Sequence, residues 1–318
     1  MCCFLRRSAN IHPMTPEKIK ASTIPLSVYG VLAAGIIAVS LAAIFIRLAQ
    51  QDGVPSLLIA GARMTIASLM LTPFSLYKHS ERLRQLTRKE LGLAALSGVF
   101  LALHFVTWIT SLERRTVLIS VVLVSTGPIW VALLERFFLG TQIARAVLVG
   151  LGATVIGGVL IAFGGSGDLS ALGRNPTLGS LLALLGAIAL AVYLIIGRKL
   201  RAEMPLLPYI WLVYGCAAVT LIIVLIVTQT PITGYPSQSY LWMLCIALLP
   251  QLIGHTSFNY ALRYLPATVV GVIGQMEPIG SSIIALFVFR EAPGTVALIG
   301  SLFILAGVIA ASLGQSQK

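Results

Sequence analysis

The chain contains an internal repeat with a step of 150 residues. Four pairs of equivalent residues mark it: Pro55 and Pro205, Pro128 and Pro278, Gly150 and Gly300, and Gly157 and Gly307. A repeat with a fixed step must be recognised before a fold is assigned, because each copy is then one structural unit. We therefore interpret the chain as two copies of one unit joined end to end.

The repeated unit is a membrane unit. Of 318 residues, 58% are hydrophobic and only 10% are charged, against roughly 25% charged residues in soluble domains. Apolar runs of about 20 residues are long enough to cross a ~30 Å hydrocarbon core as helices. This predicts an all-α integral membrane protein with ten spans, at approximately 27–48, 56–77, 91–111, 116–136, 143–163, 178–197, 206–228, 239–261, 267–289 and 294–314.

The positions of the basic residues give the spans a direction. If the N-terminus is inside, the inside segments hold 16 Lys and Arg residues and the outside segments hold five, with Arg63 within a span. This predicts cytoplasmic N- and C-termini in the cytoplasmic (inner) cell membrane. The net charge of +12 then reflects topology and attraction to anionic membrane lipids, and not binding to nucleic acid.

Five spans in each copy mean that the second copy is inverted relative to the first. We expect a cytoplasmic tail at 1–24, a first repeat at 25–163 (spans one to five), a linker at 164–177 and a second repeat at 178–318 (spans six to ten). Inverted repeats are typical of carriers that work by alternating access around a site near the bilayer midplane.

Composition and motifs predict neither a cofactor nor a metal site. The four cysteines have no metal or redox spacing, and no Gly-Lys-Ser/Thr phosphate loop is present, so ATP-driven transport has no support. The expected partners are a small-molecule substrate and membrane lipids. Whether the chain forms a homodimer stays open.

Three segments resemble EamA-type members of the drug/metabolite transporter superfamily. They are IFIRLAQQDGVPSLLIAGAR from Ile44, LHFVTWITSLERRTVLISVVLVSTGPIWVALL from Leu103, and GHTSFNYALRYLPATVVGVIGQMEPIGSSIIALFVFRE from Gly254. The resemblance covers roughly residues 28–314. It implies ten helices in two inverted five-helix repeats, export or exchange of small organic metabolites, and a central cavity lined mainly by helices one, three, four, six, eight and nine.

The chain departs from that family at one loop pair. The family usually has a Gly-Glu pair after the fourth and ninth spans. Here the second copy has Arg290-Glu291, and the first has Gly140-Thr141. Glu135 lies about a turn and a half before Thr141 and is a candidate substitute for the missing glutamate.

Ionisable residues inside spans are functional candidates because their insertion into the membrane is costly. Glu277 lies near the middle of span nine and precedes Pro278, which removes a backbone donor and predicts a kink. We interpret Glu277 as a proton carrier or a ligand for a substrate ammonium group, or else as a structural partner of Arg63. Arg63, Pro128 and Pro278 are predicted to be structural.

The remaining candidates are polar or aromatic residues within spans. His104 and His255 lie 151 residues apart at pseudo-symmetric positions, where they either relay protons or make packing hydrogen bonds. The spacing i, i+4 places residues on one helix face, which predicts a polar stripe on span eight. The candidates for substrate binding or coupling are Glu277, His255, Asn259, Gln251, His104, Trp108, Thr126, Gln275, Tyr193 and Ser40.

We therefore expect a secondary transporter of small organic metabolites, such as amino acids, related compounds or drugs, that exports its substrate. An uncoupled facilitator or channel is the alternative. A membrane-embedded enzyme is less consistent with the sequence, because the isolated His and Glu residues form no catalytic cluster and the loops are short.

Overall fold

The computed structural model describes residues 24–114, 123–124, 126–164, 176–288, 290 and 294–315. Within these ranges the chain is helical and forms no strand. The helices are α1 (Leu26–Ser40), α2 (Ala42–Gln51), α3 (Ser56–Arg84), α4 (Arg88–Arg114), α5 (Gly127–Phe138), α6 (Arg145–Gly164), α7 (Pro176–Arg201), α8 (Leu206–Val227), α9 (Ser237–Ile246), π1 (Ala247–His255), α10 (Thr256–Ala261), α11 (Ala267–Gly274), α12 (Glu277–Val288) and α13 (Thr295–Gln315).

The described helices include eight that are long and apolar enough to cross a membrane. They coincide with predicted spans one to three and six to ten, and Arg145–Ile161 is a shorter apolar helix at predicted span five. The all-helical membrane class is thereby confirmed. Of predicted span four, the structure describes residues 123–124 and 126 and helix α5, because residues 115–122 and 125 lie outside the described ranges.

Span nine is interrupted at its middle. Helix α11 ends at Gly274 and helix α12 begins at Glu277, so the proline at 278 lies in the first turn of a new helix. This position suits proline, because the first N–H groups of a helix have no intrahelical partner. The kink predicted at Pro278 is therefore present as a break between two helices.

Span one has a second break, which the hydropathy pattern did not predict. Helix α1 ends at Ser40 and α2 begins at Ala42. The two breaks lie against each other, because Ser281 Oγ donates a hydrogen bond of 3.0 Å to the Ser40 carbonyl. The interrupted helices of the two halves therefore meet in the interior of the bundle.

Helix α3 is longer than the predicted span 56–77. It continues to Arg84, through part of the predicted basic loop, and bends at His79, where φ is −130° and ψ is 20°. Beyond the bend, Arg82 pairs with Glu90 at the start of α4. The α3–α4 connection is therefore a short turn at the end of the bundle that is predicted to face the cytoplasm.

Helices α6 and α13, the last of each half, pack with direct backbone contact. A methyl group at Gly157 would lie 2.5 Å from the Gly300 carbonyl oxygen, and one at Gly300 would lie 2.6 Å from the Gly157 carbonyl oxygen. Gly150 and Gly307 face each other in the same way. The helices run antiparallel, and the glycines allow their backbones to approach closely.

Candidate functional site

A cavity of about 230 Å³ lies where helices from both halves of the chain meet. Its walls come from the α1–α2 break, α3, α4, α5, α7, π1, α10 and the α11–α12 break. Six of the predicted substrate-binding or coupling candidates line it: His104, Trp108, Tyr193, His255, Gln275 and Glu277. The three residues predicted to be structural, Arg63, Pro128 and Pro278, also line it.

Glu277 is the acidic residue of this cavity. As the first residue of α12 it lies at the positive end of the helix dipole, which favours a carboxylate there. Its side chain is half-buried, and among the described residues it has no hydrogen-bond or ion-pair partner for its carboxylate. In particular, no nitrogen of Arg63 lies within 4.0 Å of a Glu277 carboxylate oxygen, so the ion pair considered from the sequence does not form.

Arg63 joins the two halves of the chain instead. Its Nε donates a hydrogen bond of 2.6 Å to Gln251 Oε1 on π1. Its guanidinium carbon lies 4.2 Å from the centre of the Phe105 ring on α4, in cation–π geometry. The residue is only 1% exposed, and its Nη2 has no hydrogen-bond partner. The positive charge of Arg63 is thus fixed in the cavity wall and is not paired with the Glu277 carboxylate.

The two histidines lie in the same wall of the cavity. His104 Nδ1 is 2.9 Å from the Gly186 carbonyl oxygen, which can only accept, so Nδ1 carries the proton. In a neutral ring this leaves Nε2 as an acceptor. The His104 ring is nearly parallel to that of Trp108, at 11° and 5.8 Å between centroids. His255 meets the Phe105 ring edge-on at 5.5 Å.

The predicted polar stripe on span eight is divided between two layers. His255 lines the cavity, whereas Gln251 and Asn259 are fully buried behind it. Asn259 Oδ1 accepts a hydrogen bond of 2.7 Å from Tyr193, and its Nδ2 donates one of 3.2 Å to Tyr214 Oη. Gln251 and Asn259 therefore hold cavity-lining side chains in place from behind.

The division arises because residues 247–255 form a π-helix around Pro250. The π-helix has i→i+5 hydrogen bonds, so residues at i and i+4 no longer lie directly above one another. Proline lacks the N–H that an α-helix needs there, and a widened turn accommodates it. The stripe was predicted with α-helical spacing, which the π-helix changes between Gln251 and His255; Asn259 follows His255 in an α-helix and is buried by its bonds to Tyr193 and Tyr214.

Ser40 and Thr126 are not among the described residues that line the cavity. Ser40 Oγ donates to Ile36 O at 2.7 Å, and Thr126 Oγ1 donates to Leu123 O at 2.6 Å. Both hydroxyls thus bond to their own chain segment, as serine and threonine often do at helix ends. Ser40 Oγ also donates a longer hydrogen bond of 3.4 Å to the Glu277 carbonyl oxygen. Ser125, which precedes Thr126, lies outside the described residues.

The cavity-lining residues that sequence reasoning missed include Phe105, Phe258 and Ser281. The two phenylalanines are adjacent to predicted residues but carry no signal of their own within an apolar span. Ser281 is one turn after Glu277, and this spacing was the one available indication that it faces the same space. Among the described residues, no three His, Cys, Asp or Glu side chains are grouped as metal ligands.

Comparison with known proteins identifies the family. The model of the EamA-like transporter family matches the chain twice, over residues 26–163 and 177–313. The chain belongs to this family. It is accordingly a multi-pass membrane protein of a transporter family, and its helices match that description.

Individual relatives of this EamA-like transporter are also named as transporters. The uncharacterized transporter YdfC of Bacillus subtilis (strain 168) is 23% identical over 248 residues, covering 77% of this chain and 78% of the relative. The uncharacterized inner membrane transporter YhbE of Escherichia coli (strain K12) is 27% identical over 79 residues, 25% of each chain. These names indicate a transporter.

A solved crystal structure has the same fold as this EamA-like transporter. The two superpose with a TM-score of 0.74 at 18% sequence identity, over 90% of this chain and 96% of the other. At this identity the similarity concerns the fold alone.

Proposed function

We propose that this chain is a secondary transporter that exports small organic metabolites across the cytoplasmic membrane by alternating access. Its substrates are amino acids, related compounds or drugs, and its site is the central cavity. His104, Trp108, Tyr193, His255, Gln275 and Glu277 are the proposed substrate-binding or coupling residues. The observation that carries the proposal is the Glu277 carboxylate, which has no partner among the described residues, in a cavity built by both halves.

The size of the cavity supports a small substrate. Pockets for drug-sized ligands are roughly 300–1,000 Å³, and this cavity has about 230 Å³. Most of its lining is apolar, with aromatic rings from Phe105, Trp108 and Phe258 on one side. An amino acid or related amine with an apolar side chain fits such a space better than a larger drug.

The charges support a role for Glu277 in recognising an ammonium group or carrying a proton. A carboxylate inside the membrane is costly and is normally paired. The Glu277 carboxylate faces a cavity and has no partner within the part of the chain that the structure describes, whereas Arg63 is held by Gln251 and Phe105. A substrate with a positive amino group would supply the missing partner.

The arrangement of the two halves supports alternating access. The family matches at 26–163 and 177–313 agree with five-span repeats on either side of a linker at 164–177. Reciprocal contacts, Gly150 with Gly307 and Gly157 with Gly300, are those expected when the repeats are related by a pseudo-twofold axis. The basic turns then face the cytoplasm, together with both termini.

Reconstituted protein in liposomes tests this function. Labelled amino acids and other amines are screened for transport with and without a pH gradient. Glu277→Gln is expected to lower amine transport at least about tenfold, since a charge-assisted bond contributes roughly 1.5–3 kcal/mol. Because Glu277 has no hydrogen-bond or ion-pair partner among the described residues, the variant should lose only the helix-dipole contribution of about 0.3–1 kcal/mol and stay folded, which thermal unfolding checks.

The matched control is Glu203→Gln, which neutralises an exposed carboxylate in the α7–α8 turn. It should transport at the parental rate. If Glu277→Gln also does so, with an unchanged pH profile, the proposed role of Glu277 is wrong. Accumulation of substrate against its gradient would separate a coupled carrier from a facilitator, which only equilibrates it.

A further inference from the structure

A carboxylate of the first half caps a helix of the second half, at the end of the bundle predicted to face the cytoplasm. Glu135, on α5, is 1% exposed. Its Oε1 accepts a hydrogen bond of 2.9 Å from the Ala267 N–H. Its Oε2 accepts from the Thr268 N–H at 2.8 Å and from the Thr268 hydroxyl at 2.5 Å. Three donors from the start of α11 therefore converge on one side chain from the other half.

The contact supplies hydrogen-bond partners both to the Glu135 carboxylate and to the first N–H groups of α11. Helix α11 begins after Pro266, which supplies no side-chain cap for the first N–H groups. A buried carboxylate in turn requires hydrogen-bond donors, and the N-terminus of a helix provides them together with a favourable dipole. Separating α5 from α11 at this point would leave a buried charge and uncapped N–H groups, unless water enters.

The same end of span nine is the closely packed end. Six of the eight residues of α11 are buried, whereas none of α12 is. A methyl group at Gly271 would be 3.7 Å from Val131 and 3.8 Å from Pro128, so α11 and α5 are in contact in the cavity wall. The described structure is thus closely packed on the Glu135 side of the cavity.

The second half has no glutamate at the position equivalent to Glu135. A step of 150 residues from Glu135 leads to Ala285 on α12, which has no carboxylate. Position 285 therefore supplies no acceptor of this kind, and Glu291, the glutamate of the second copy's loop, lies outside the described residues.

We infer that Glu135 is a gate residue, which holds the bundle sealed at the end predicted to face the cytoplasm and thereby sets the resting conformer. This inference rests on the proposed transport by alternating access. In each cycle the bonds to Ala267 and Thr268 break when the cavity opens to that end and form again when it closes. Glu135 acts on the equilibrium between conformers and does not touch the substrate.

Labelling of a cysteine from one side of the membrane tests the gate without any substrate. The four native cysteines are replaced, and Val131→Cys supplies a buried reporter in the cavity wall, one helical turn before Glu135. An impermeant maleimide is applied separately to right-side-out and inside-out vesicles. In Glu135→Ala, labelling from the side of the α7–α8 turn should rise about tenfold or more, because hydrogen bonds to a buried charge are lost.

Two further variants keep the test decisive. Thr268→Val removes one of the three donors and should raise labelling in the same direction by a smaller factor, even if Glu135→Ala fails to fold. Glu90→Ala is the matched control: Glu90 accepts from the Thr87 N–H at 2.8 Å, at the same end, but within one half. It should leave labelling unchanged.

Equal labelling in the parent, Glu135→Ala and Thr268→Val would overturn the gate, and so would an equal rise in Glu90→Ala. Because accessibility is measured without substrate, a failed gate leaves the transport result of Glu277→Gln standing. Conversely, a chain that transports none of the screened compounds can still show the change in accessibility.

Discussion

The contact between α6 and α13 makes a strong prediction, because backbone and not side chains would have to move. In Gly157→Ala, the new methyl group would lie 2.5 Å from the Gly300 carbonyl oxygen and 2.9 Å from the Ile304 nitrogen. Both distances are well inside van der Waals contact, so the helices must separate. Overpacking of this kind costs about 1–3 kcal/mol.

The same helix offers a matched control. Gly152, on the exposed side of α6, has no atom within 4 Å of the position that a methyl group would take. Gly152→Ala should therefore show only the helix propensity of alanine, which favours the folded state by about 0.5–1 kcal/mol. The two substitutions add the same methyl group to one helix, and opposite effects on stability are expected.

Thermal unfolding of both variants in the same detergent and at the same scan rate measures the difference. A change of one kcal/mol in the free energy of unfolding shifts the Tm by about 2–4 °C for domains of 150–250 residues. The Tm of Gly157→Ala should therefore lie several degrees below that of Gly152→Ala. The same Tm for the two variants would refute the backbone contact as the reason for glycine at position 157.

Two further predictions concern the layer behind the cavity. Asn259→Leu leaves the hydroxyls of Tyr193 and Tyr214 without this partner and should destabilise the protein by about 1–3 kcal/mol; parental stability in thermal unfolding would contradict the network. His104→Phe keeps an aromatic ring but loses the bond to the Gly186 carbonyl, so the Tm should fall by an amount equivalent to about 1 kcal/mol. An unchanged Tm would mean that the histidine hydrogen bond adds nothing to stability.

Local chemistry made part of the fold and site predictable from the sequence. The proline at 278 predicted an interruption of span nine, because the missing N–H acts within its own helix. Charges and histidines in apolar spans predicted Glu277, His104 and His255, since such groups avoid lipid. Each of these arguments concerns one helix and its surroundings, and each led to a residue that lines the cavity.

Contacts between distant segments were not predictable in this way. Glu135 was noted only as a substitute for a missing glutamate, and nothing in its neighbourhood indicates that its donors are 132 and 133 residues away. Arg63 was considered as a partner of Glu277 by charge, yet it bonds to neutral Gln251. Helical spacing also fails for Gln251, because the π-helix changes the turn that the spacing assumes.

The paired glycines of α6 and α13 have a consequence for the origin of the chain. Gly150 contacts Gly307 and Gly157 contacts Gly300, so each half offers the other the equivalent surface of its last helix. A surface that fits its own copy is what two separate, identical polypeptides need in order to dimerise. A gene encoding only one half could have produced a working pair before duplication and fusion placed both halves in one chain.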